Sequence, residues 1–489
     1  MGEATLKEKT SKGLFWGGLS NGVQQLLGLI FGIFLARLLS PSDYGLVGML
    51  AIFTALATVL QDSGFAIALI NQKEVRHEDY NSVFWFNIVV SVVCYIILFF
   101  CAPLIARFFH QPELVKLARW SFVGFVISSF GTTQNAYLLK TMKIRERSIS
   151  NMVALLVSGI VGVILAFNGF AYWTIVIQTL VLVTVLMLCY WYYSDWRPTF
   201  SWKKEPVIRL FRFGFKIMIT NVAESFSTFL FSIVFGRYYT EKEVGYFNNA
   251  NKWNTMGYSI IRGMVGSVAQ TVLVEVNEEN QRQLRVFRKM VRFTAFLSFP
   301  ALFGLAFIAP EFITVTITEK WLESAEMMRI LCLGGAFVPI SYLFSNLVLS
   351  RGRASGYMWS TIGLLLALVV ATIVFYPMGI TAMVIAYSGV YFVWTFVWYL
   401  MVSKEMGYAF IHFMTDLIPF LGITCIAIAA AYFITRPIGN IYWLLVAKIL
   451  VTGALYALMM WGTNSVIFKE SVGFFLKHIK QKNQNNDEE

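Results

Sequence analysis

The chain has 489 residues, 57% hydrophobic, 16% aromatic and only 13% charged, with a formal net charge of +12. Soluble globular domains carry about 25% charged residues, so this composition excludes an ordinary water-soluble enzyme or binding module. The positive residues collect between apolar runs rather than on one basic face, which argues for a membrane protein and against a nucleic-acid partner.

A spanning helix needs ~20 mostly apolar residues to cross a hydrocarbon core about 30 Å thick, and such runs recur about 14 times. The chain therefore reads as an all-α, polytopic membrane protein. In chain order the predicted spans are 12–36, 44–70, 83–107, 114–139, 149–167 and 171–193. They continue with 210–236, 245–274, 291–313, 325–350, 356–376, 379–402, 413–435 and 441–465. The first begins near Lys12 with no small-residue cleavage pattern behind it, and so reads as a retained span rather than a signal peptide. Cys94, Cys101, Cys189, Cys332 and Cys425 all lie in apolar stretches without a CxxC pair, as small buried hydrophobes do.

With the N-terminus in the cytoplasm, alternate loops collect KTMKIRER (140–147), RPTFSWKKEPVIR (197–209) and RQLRVFRK (282–289). About 26 of the 39 Lys and Arg then fall on the cytoplasmic side, as the positive-inside rule requires. An even number of spans returns the C-terminus to the same side. No loop is long enough for a soluble domain. The connection 274–291 has helical amphipathic spacing and is expected to lie along the membrane surface. The tail from Phe468 ends in a polar run, KQKNQNNDEE, of disordered composition.

The sequence repeats itself. FLARLLSPSDYGLVGML (34–50) is echoed by VFGRYYTEKEVGYFNNA (234–250), with Arg37 on Arg237, Ser40 on Thr240, Asp43 on Glu243 and Gly45 on Gly245. At the same offset Ser20 meets Thr220, Asn21 meets Asn221 and Thr54 meets Asn254; further along, Arg119 meets Arg329 and Gly169 meets Gly379. Six spans separate the copies, so the halves share one orientation, a parallel repeat. The expected organisation is an N-lobe over 1–196, a C-lobe over 197–402, two further helices over 403–467 and a cytoplasmic tail over 468–489.

Catalytic signatures are missing. There is no Gly-Lys dipeptide for a phosphate-binding loop, no HExxH and no paired Cys/His spacing. Nothing in the pattern asks for a metal or cofactor, and the chain reads as a non-enzyme. What remains is polar and charged residues inside spans, a charged one costing about 2.5–3.5 kcal/mol at a helix centre. On 210–236, Arg212, Lys216, Thr220, Glu224 and Thr228 follow at i+4, with Asn221 and Ser225 alongside. On 245–274 the stripe is Asn248, Lys252, Thr255, Ser259, Arg262 and Gln270. Their repeat mates are Ser20, Asn21, Gln24 and Gln25 on the first span and Thr54, Thr58, Gln61 and Asp62 on the second. One reading is that these residues satisfy one another across helix contacts, with Arg212 and Lys216 snorkelling to headgroups. The other is that four repeat-related spans line a hydrophilic cleft. Gly28 and Gly32 form a small-xxx-small pair expected to pack helices.

ARLLSPSDYGLVGM, QDSGFAIALINQKE (61–74), NSVFWFN (81–87) and APLIARFF (102–109) resemble the Wzx-type polysaccharide flippases of the multidrug/oligosaccharidyl-lipid/polysaccharide exporter superfamily. SDWRPTF (194–200), RLFRFGFK (209–216) and GRYYTEKEVGYFNNANK (236–252) carry the resemblance into the second half. It implies two pseudo-symmetric bundles in the bacterial inner membrane that alternate access. It also implies undecaprenyl-diphosphate-linked oligosaccharide (an O-antigen, capsule or exopolysaccharide repeat unit) as substrate, with a polysaccharide polymerase and co-polymerase as partners. Mapped onto this chain, the candidate substrate contacts are Lys252, Arg262, Lys216, Asn21, Gln24, Asn221 and Ser259. Asp62 and Glu224 are candidates for ion coupling or for pairing with those cations. A cation-coupled drug or metabolite exporter of the same superfamily and a membrane glycan polymerase are the competing readings; short outer loops speak against the second.

Overall fold

The computed structural model describes residues 3–62, 69, 75–201, 203–275, 279–465, 467–470 and 473, and the side chains of Asp62, Arg212, Lys216 and Gln270 lie outside what it describes. Among the described residues all regular structure is helical. The first helices are α1 (Glu3–Leu38), α2 (Pro41–Asp62), α3 (His77–Phe109), α4 (Leu114–Ser121), α5 (Val123–Lys140), α6 (Ile144–Phe167), α7 (Trp173–Tyr193) and α8 (Lys204–Tyr238). There follow α9 (Glu241–Glu275), α10 (Asn280–Phe307), α11 (Ala309–Ile317), α12 (Leu322–Gly335), α13 (Val338–Ser350) and α14 (Ala354–Phe375), then α15 (Ile380–Met406), α16 (Phe410–Thr435) and α17 (Ile441–Gly462). Thirteen helical stretches are long and apolar enough to cross a membrane, matching thirteen of the predicted spans. The other, 245–274, is present as α9, but Asn248, Asn249, Asn251, Lys252 and Asn254 leave it too polar to be counted with them.

The chain divides into two compact units between Asn248 and Asn249, inside α9. In the first unit α1 packs on α6, α6 on α7, α7 on α5 and α5 on α3, while α8 lies against α2 and α3. Gly28 does not serve this packing: a Cβ there would meet nothing within 4 Å, so the expected small-residue contact is absent at that position. The segment between α7 and α8 is tied to the start of α3. Asn81 accepts from the Thr199 backbone N–H (2.8 Å) and donates to the Ser201 carbonyl; Trp85 Nε1 donates to the Thr199 carbonyl (2.8 Å). Trp196 Nε1 donates to His77 Nδ1 (3.1 Å), and Lys203 pairs with Glu78 (2.6 Å). The motifs NSVFWFN and SDWRPTF are thus two sides of one contact.

The repeated turns are built alike because each closes a capping box. Asp43 accepts from the Ser40 backbone N–H (2.8 Å) while the Asp43 N–H donates to Ser40 Oγ (3.2 Å). Glu243 and Thr240 do the same, at 2.9 and 3.3 Å. Each box satisfies N–H groups that the first helical turn cannot. The two turns also meet. A Cβ on Gly45 would collide with the carbonyl oxygen of Glu241, and a Cβ on Gly245 with that of Pro41. Gly48 faces Asn248 in the same register. Gln111 donates to Glu241 Oε2 (2.9 Å), and Arg237 donates to the Phe108 carbonyl (2.8 Å), fastening the end of α3 to the second turn.

In the second unit α12 packs on α15, α15 on α13 and α14, and α10 on α12 and α16. The segment 280–291 departs from expectation. It is the first turns of α10, with Gln283 and Phe287 fully buried, rather than a helix on the membrane surface. An amphipathic period marks an apolar face without saying whether lipid or protein covers it. Here Arg288 forms two hydrogen bonds to Asp416 (2.7 and 3.1 Å), a carboxylate only 3% exposed that also accepts from the Tyr408 hydroxyl (2.8 Å). Burial, reinforced by Asp416, pushes the Tyr408 phenol well above its usual range, so it remains a donor. A second pair joins α17 to α11: Lys448 Nζ lies 2.7 Å from Glu311 Oε1, with side chains 9% and 13% exposed. These two links hold the C-terminal helix pair to α10 and α11.

Two predictions follow from this packing. Gly45→Val or Gly245→Val drives a side chain into a backbone carbonyl that cannot rotate away, and should destabilise the purified protein by about 1–3 kcal/mol, the usual cost of overpacking. Gly28→Ala should be neutral in the same thermal melt. Lys448→Met strands a buried carboxylate and should cost about 3–5 kcal/mol, with much of the loss recovered in the Glu311→Gln/Lys448→Met double variant.

Candidate functional site

The polar stripe of α9 is built by helical geometry. At 100° per residue, Asn248, Lys252, Thr255, Ser259 and Arg262 fall within about 80° of one another. The opposite side, with Ala250, Asn254, Ile261 and Val265, is buried. In the second unit Lys252 is exposed and Ser259 and Arg262 are half-buried. The Ser259 hydroxyl donates to the Met256 carbonyl (3.1 Å), so it keeps its lone pairs for a ligand. Among the described residues neither Lys252 nor Arg262 forms an ion pair. The Arg262 guanidinium instead lies over the ring of Tyr342, 4.3 Å from its centroid.

Beside this stripe is a neutral pocket. Asn254 and Tyr258 of α9 line it with Gly334, Gly335, Val338, Tyr387, Ser388 and Tyr391, around room for about one water molecule. Asn254 is 4% exposed and its Oδ1 has no partner; it fits because Gly335 has no side chain to displace it. Tyr387 and Tyr391 bring their hydroxyls within 3.5 Å, and the Ser388 hydroxyl is spent on the Ile330 carbonyl (2.7 Å).

In the first unit, Glu224 and Thr228 are exposed on α8 and Asn221 half-buried, opposite the buried ridge of Ala223, Ser227 and Phe231. On α1, Asn21 is exposed and Gln24 donates to the buried Ser20 hydroxyl (2.7 Å). Gln61 of α2 faces inward, where it is 3% exposed and held by Ser128 and Thr132, so it is helix glue. Asn248 is likewise occupied, accepting from Ser232 (2.8 Å). Asp62 and Lys216 lie outside the described side chains.

Sequence reasoning missed Tyr342 and the tyrosine-lined pocket. Their signal was present only as aromatic residues in apolar helices, which core packing explains equally well. It also missed the Arg288–Asp416 and Lys448–Glu311 pairs, whose members are over a hundred residues apart.

A family described as polysaccharide biosynthesis protein matches residues 34–326 of this chain, more than half of its length. The chain belongs to that family. Among its relatives is the teichuronic acid biosynthesis protein TuaB of Bacillus subtilis (strain 168), 24% identical over 365 residues, covering 74% of this chain and 76% of TuaB. The lipopolysaccharide biosynthesis protein WzxC of Escherichia coli (strain K12) is 23% identical over 351 residues, 71% of each chain. The succinoglycan biosynthesis transport protein ExoT of Rhizobium meliloti (strain 1021) is 24% identical over 392 residues, 79% of this chain and 76% of ExoT. Among solved structures, the lipid II flippase MurJ in an inward closed conformation superposes with a TM-score of 0.74 at 16% identity. That match covers 94% of this chain and 99% of MurJ, so the two share a fold from end to end.

For this family member the stripe on α9 has a direct accessibility test. In a background freed of the five native cysteines, a membrane-impermeant thiol reagent should label Lys252→Cys and Ser259→Cys and leave the buried Ile261→Cys unmodified. Protection of both 252 and 259 in every transport state would mean that the stripe never meets water.

Proposed function

We propose that this chain carries undecaprenyl-diphosphate-linked oligosaccharide from the cytoplasmic to the outer leaflet of the bacterial inner membrane by alternating access, releasing it chemically unchanged. Membership of a polysaccharide biosynthesis family supports this reading, as do a relative named as a transport protein and a fold shared with the lipid II flippase MurJ. The observation that carries it is Arg262: a cation on α9 with no carboxylate partner among the described residues, set over the ring of Tyr342.

The physical task explains the need for such a group. A diphosphate and hydrophilic sugars cannot cross hydrocarbon unaided, whereas the polyprenyl tail prefers to stay there. A cationic, laterally open path lets the headgroup travel wet while the tail remains in lipid. Arg262 suits the diphosphate, because its planar fork can donate two parallel hydrogen bonds to phosphate oxygens. Lys252 lies ten residues away, about 15 Å along the helix, and suits an acidic sugar or a second position of the moving headgroup. Ser259 stands between them. Asn21, Gln24, Asn221 and Lys216 are the sugar or phosphate contacts on the remaining spans, and Asp62 and Glu224 the groups for ion coupling or for pairing with the cations. In this reading the lobes are 1–196 and 197–402, both termini are cytoplasmic, and a glycan polymerase with its co-polymerase takes the product.

Purified protein in proteoliposomes, supplied with a fluorescent undecaprenyl-diphosphate-linked oligosaccharide on one leaflet, should expose it on the other. Arg262→Ala should slow this at least tenfold, the loss expected on removing a charged hydrogen bond worth about 1.5–3 kcal/mol. Transfer at the protein-free rate by the wild type would overturn the assignment.

A further inference from the structure

Tyr342, on α13, has its ring beneath the Arg262 guanidinium, 4.3 Å from ring centroid to Cζ. The ring has room there because residue 266, one turn beyond Arg262, is glycine. A Cβ at Gly266 would meet Tyr342 Cε1 and Oη at 3.0 Å, tighter than ordinary contact. The turn carrying Tyr342 is itself pinned. Its carbonyl accepts from Ser345 Oγ (2.8 Å) and Asn346 Nδ2 (2.9 Å), and the adjacent Ser341 hydroxyl bonds Thr395 of α15 (2.9 Å). Gly266 thus opens the space, and the α13–α15 contact fixes the ring within it.

We propose that Tyr342 is a positioning residue for diphosphate binding, a platform that holds the Arg262 guanidinium by its face so that its N–H edges stay free and fixed for phosphate oxygens. The inference rests on the reading of Arg262 as a diphosphate contact. All five N–H donors of a guanidinium lie in its plane, so stacking consumes none of them. A carboxylate partner would neutralise the charge and take two of those donors, as Asp416 does to Arg288. The aromatic face attracts the cation without doing either. It also removes much of the rotamer freedom that an isolated Arg would lose on binding its ligand.

The test is binding of undecaprenyl diphosphate to full-length protein in nanodiscs, expressed relative to undecaprenol, which has the same tail and no phosphate. A merely structural tyrosine would alter both affinities or the melting temperature and leave their ratio unchanged. Arg262→Ala should lower the ratio at least tenfold. Tyr342→Leu should lower it about tenfold, and Tyr342→Phe, which keeps the ring, should restore it. The Arg262→Ala/Tyr342→Leu double variant should be no worse than Arg262→Ala alone, because the ring acts only through the guanidinium. Should Tyr342→Leu fail to accumulate, Gly266→Val pushes the same ring aside and carries the same expectation. A Tyr342→Leu ratio equal to wild type, with Arg262→Ala impaired, would overturn the positioning role while leaving the diphosphate site standing. An unchanged ratio in Arg262→Ala would remove the site and the platform together.

Discussion

A cation on a membrane-spanning helix must find a carboxylate, an aromatic face or water, because hydrocarbon offers none of these. In this chain the outcomes separate scaffold from site. Arg288 and Lys448 are matched to Asp416 and Glu311 on other helices, and those pairs fasten the C-terminal helices in place. Arg262 has a tyrosine ring instead, and Lys252 is exposed. A neutralised pair stabilises a bundle and recognises nothing further. A stacked guanidinium keeps both its charge and its donors. The proposed chemistry of the protein depends on that difference.

The repeated polar turn shows how backbone geometry constrains the scaffold. Both copies begin their helix with a reciprocal side-chain cap, and both place glycine one turn later, where the other copy's backbone passes. A cap needs only a Ser or Thr and an acid three residues on, so exchanging Asp for Glu between copies is harmless. The glycines tolerate no such exchange, since backbone rather than a flexible side chain occupies the space. The conserved and variable features within the repeat follow from these two kinds of contact.

Much of this architecture was legible in the sequence. Apolar run lengths located the spans but not their ends, since α10 begins at Asn280 where a span from 291 was expected; the echo between 34–50 and 234–250 located the paired turns. The polar stripe of α9 was legible from its helical spacing, and its repeat mates on α2 are quieter. Partnership was not legible. Gln61 and Arg262 both looked like cavity residues, yet Gln61 is buried against Ser128 and Thr132 while Arg262 is half-buried over a tyrosine ring. A helical period places residues on a face but does not say what that face meets, as the buried start of α10 also shows. Residues such as Tyr342 are harder still, since a tyrosine in an apolar helix carries no sign of the cation above it. Only the fold brings α13 to α9.

The central claim is that the polar stripe of α9 meets the headgroup of a lipid-linked glycan. A photo-crosslinking amino acid at position 259, between Lys252 and Arg262, tests it in intact membranes with a labelled undecaprenyl-diphosphate-linked oligosaccharide. The account predicts a labelled adduct at 259 that is lost when Arg262→Ala is added. An absent adduct, or one of equal yield with and without Arg262, would contradict it.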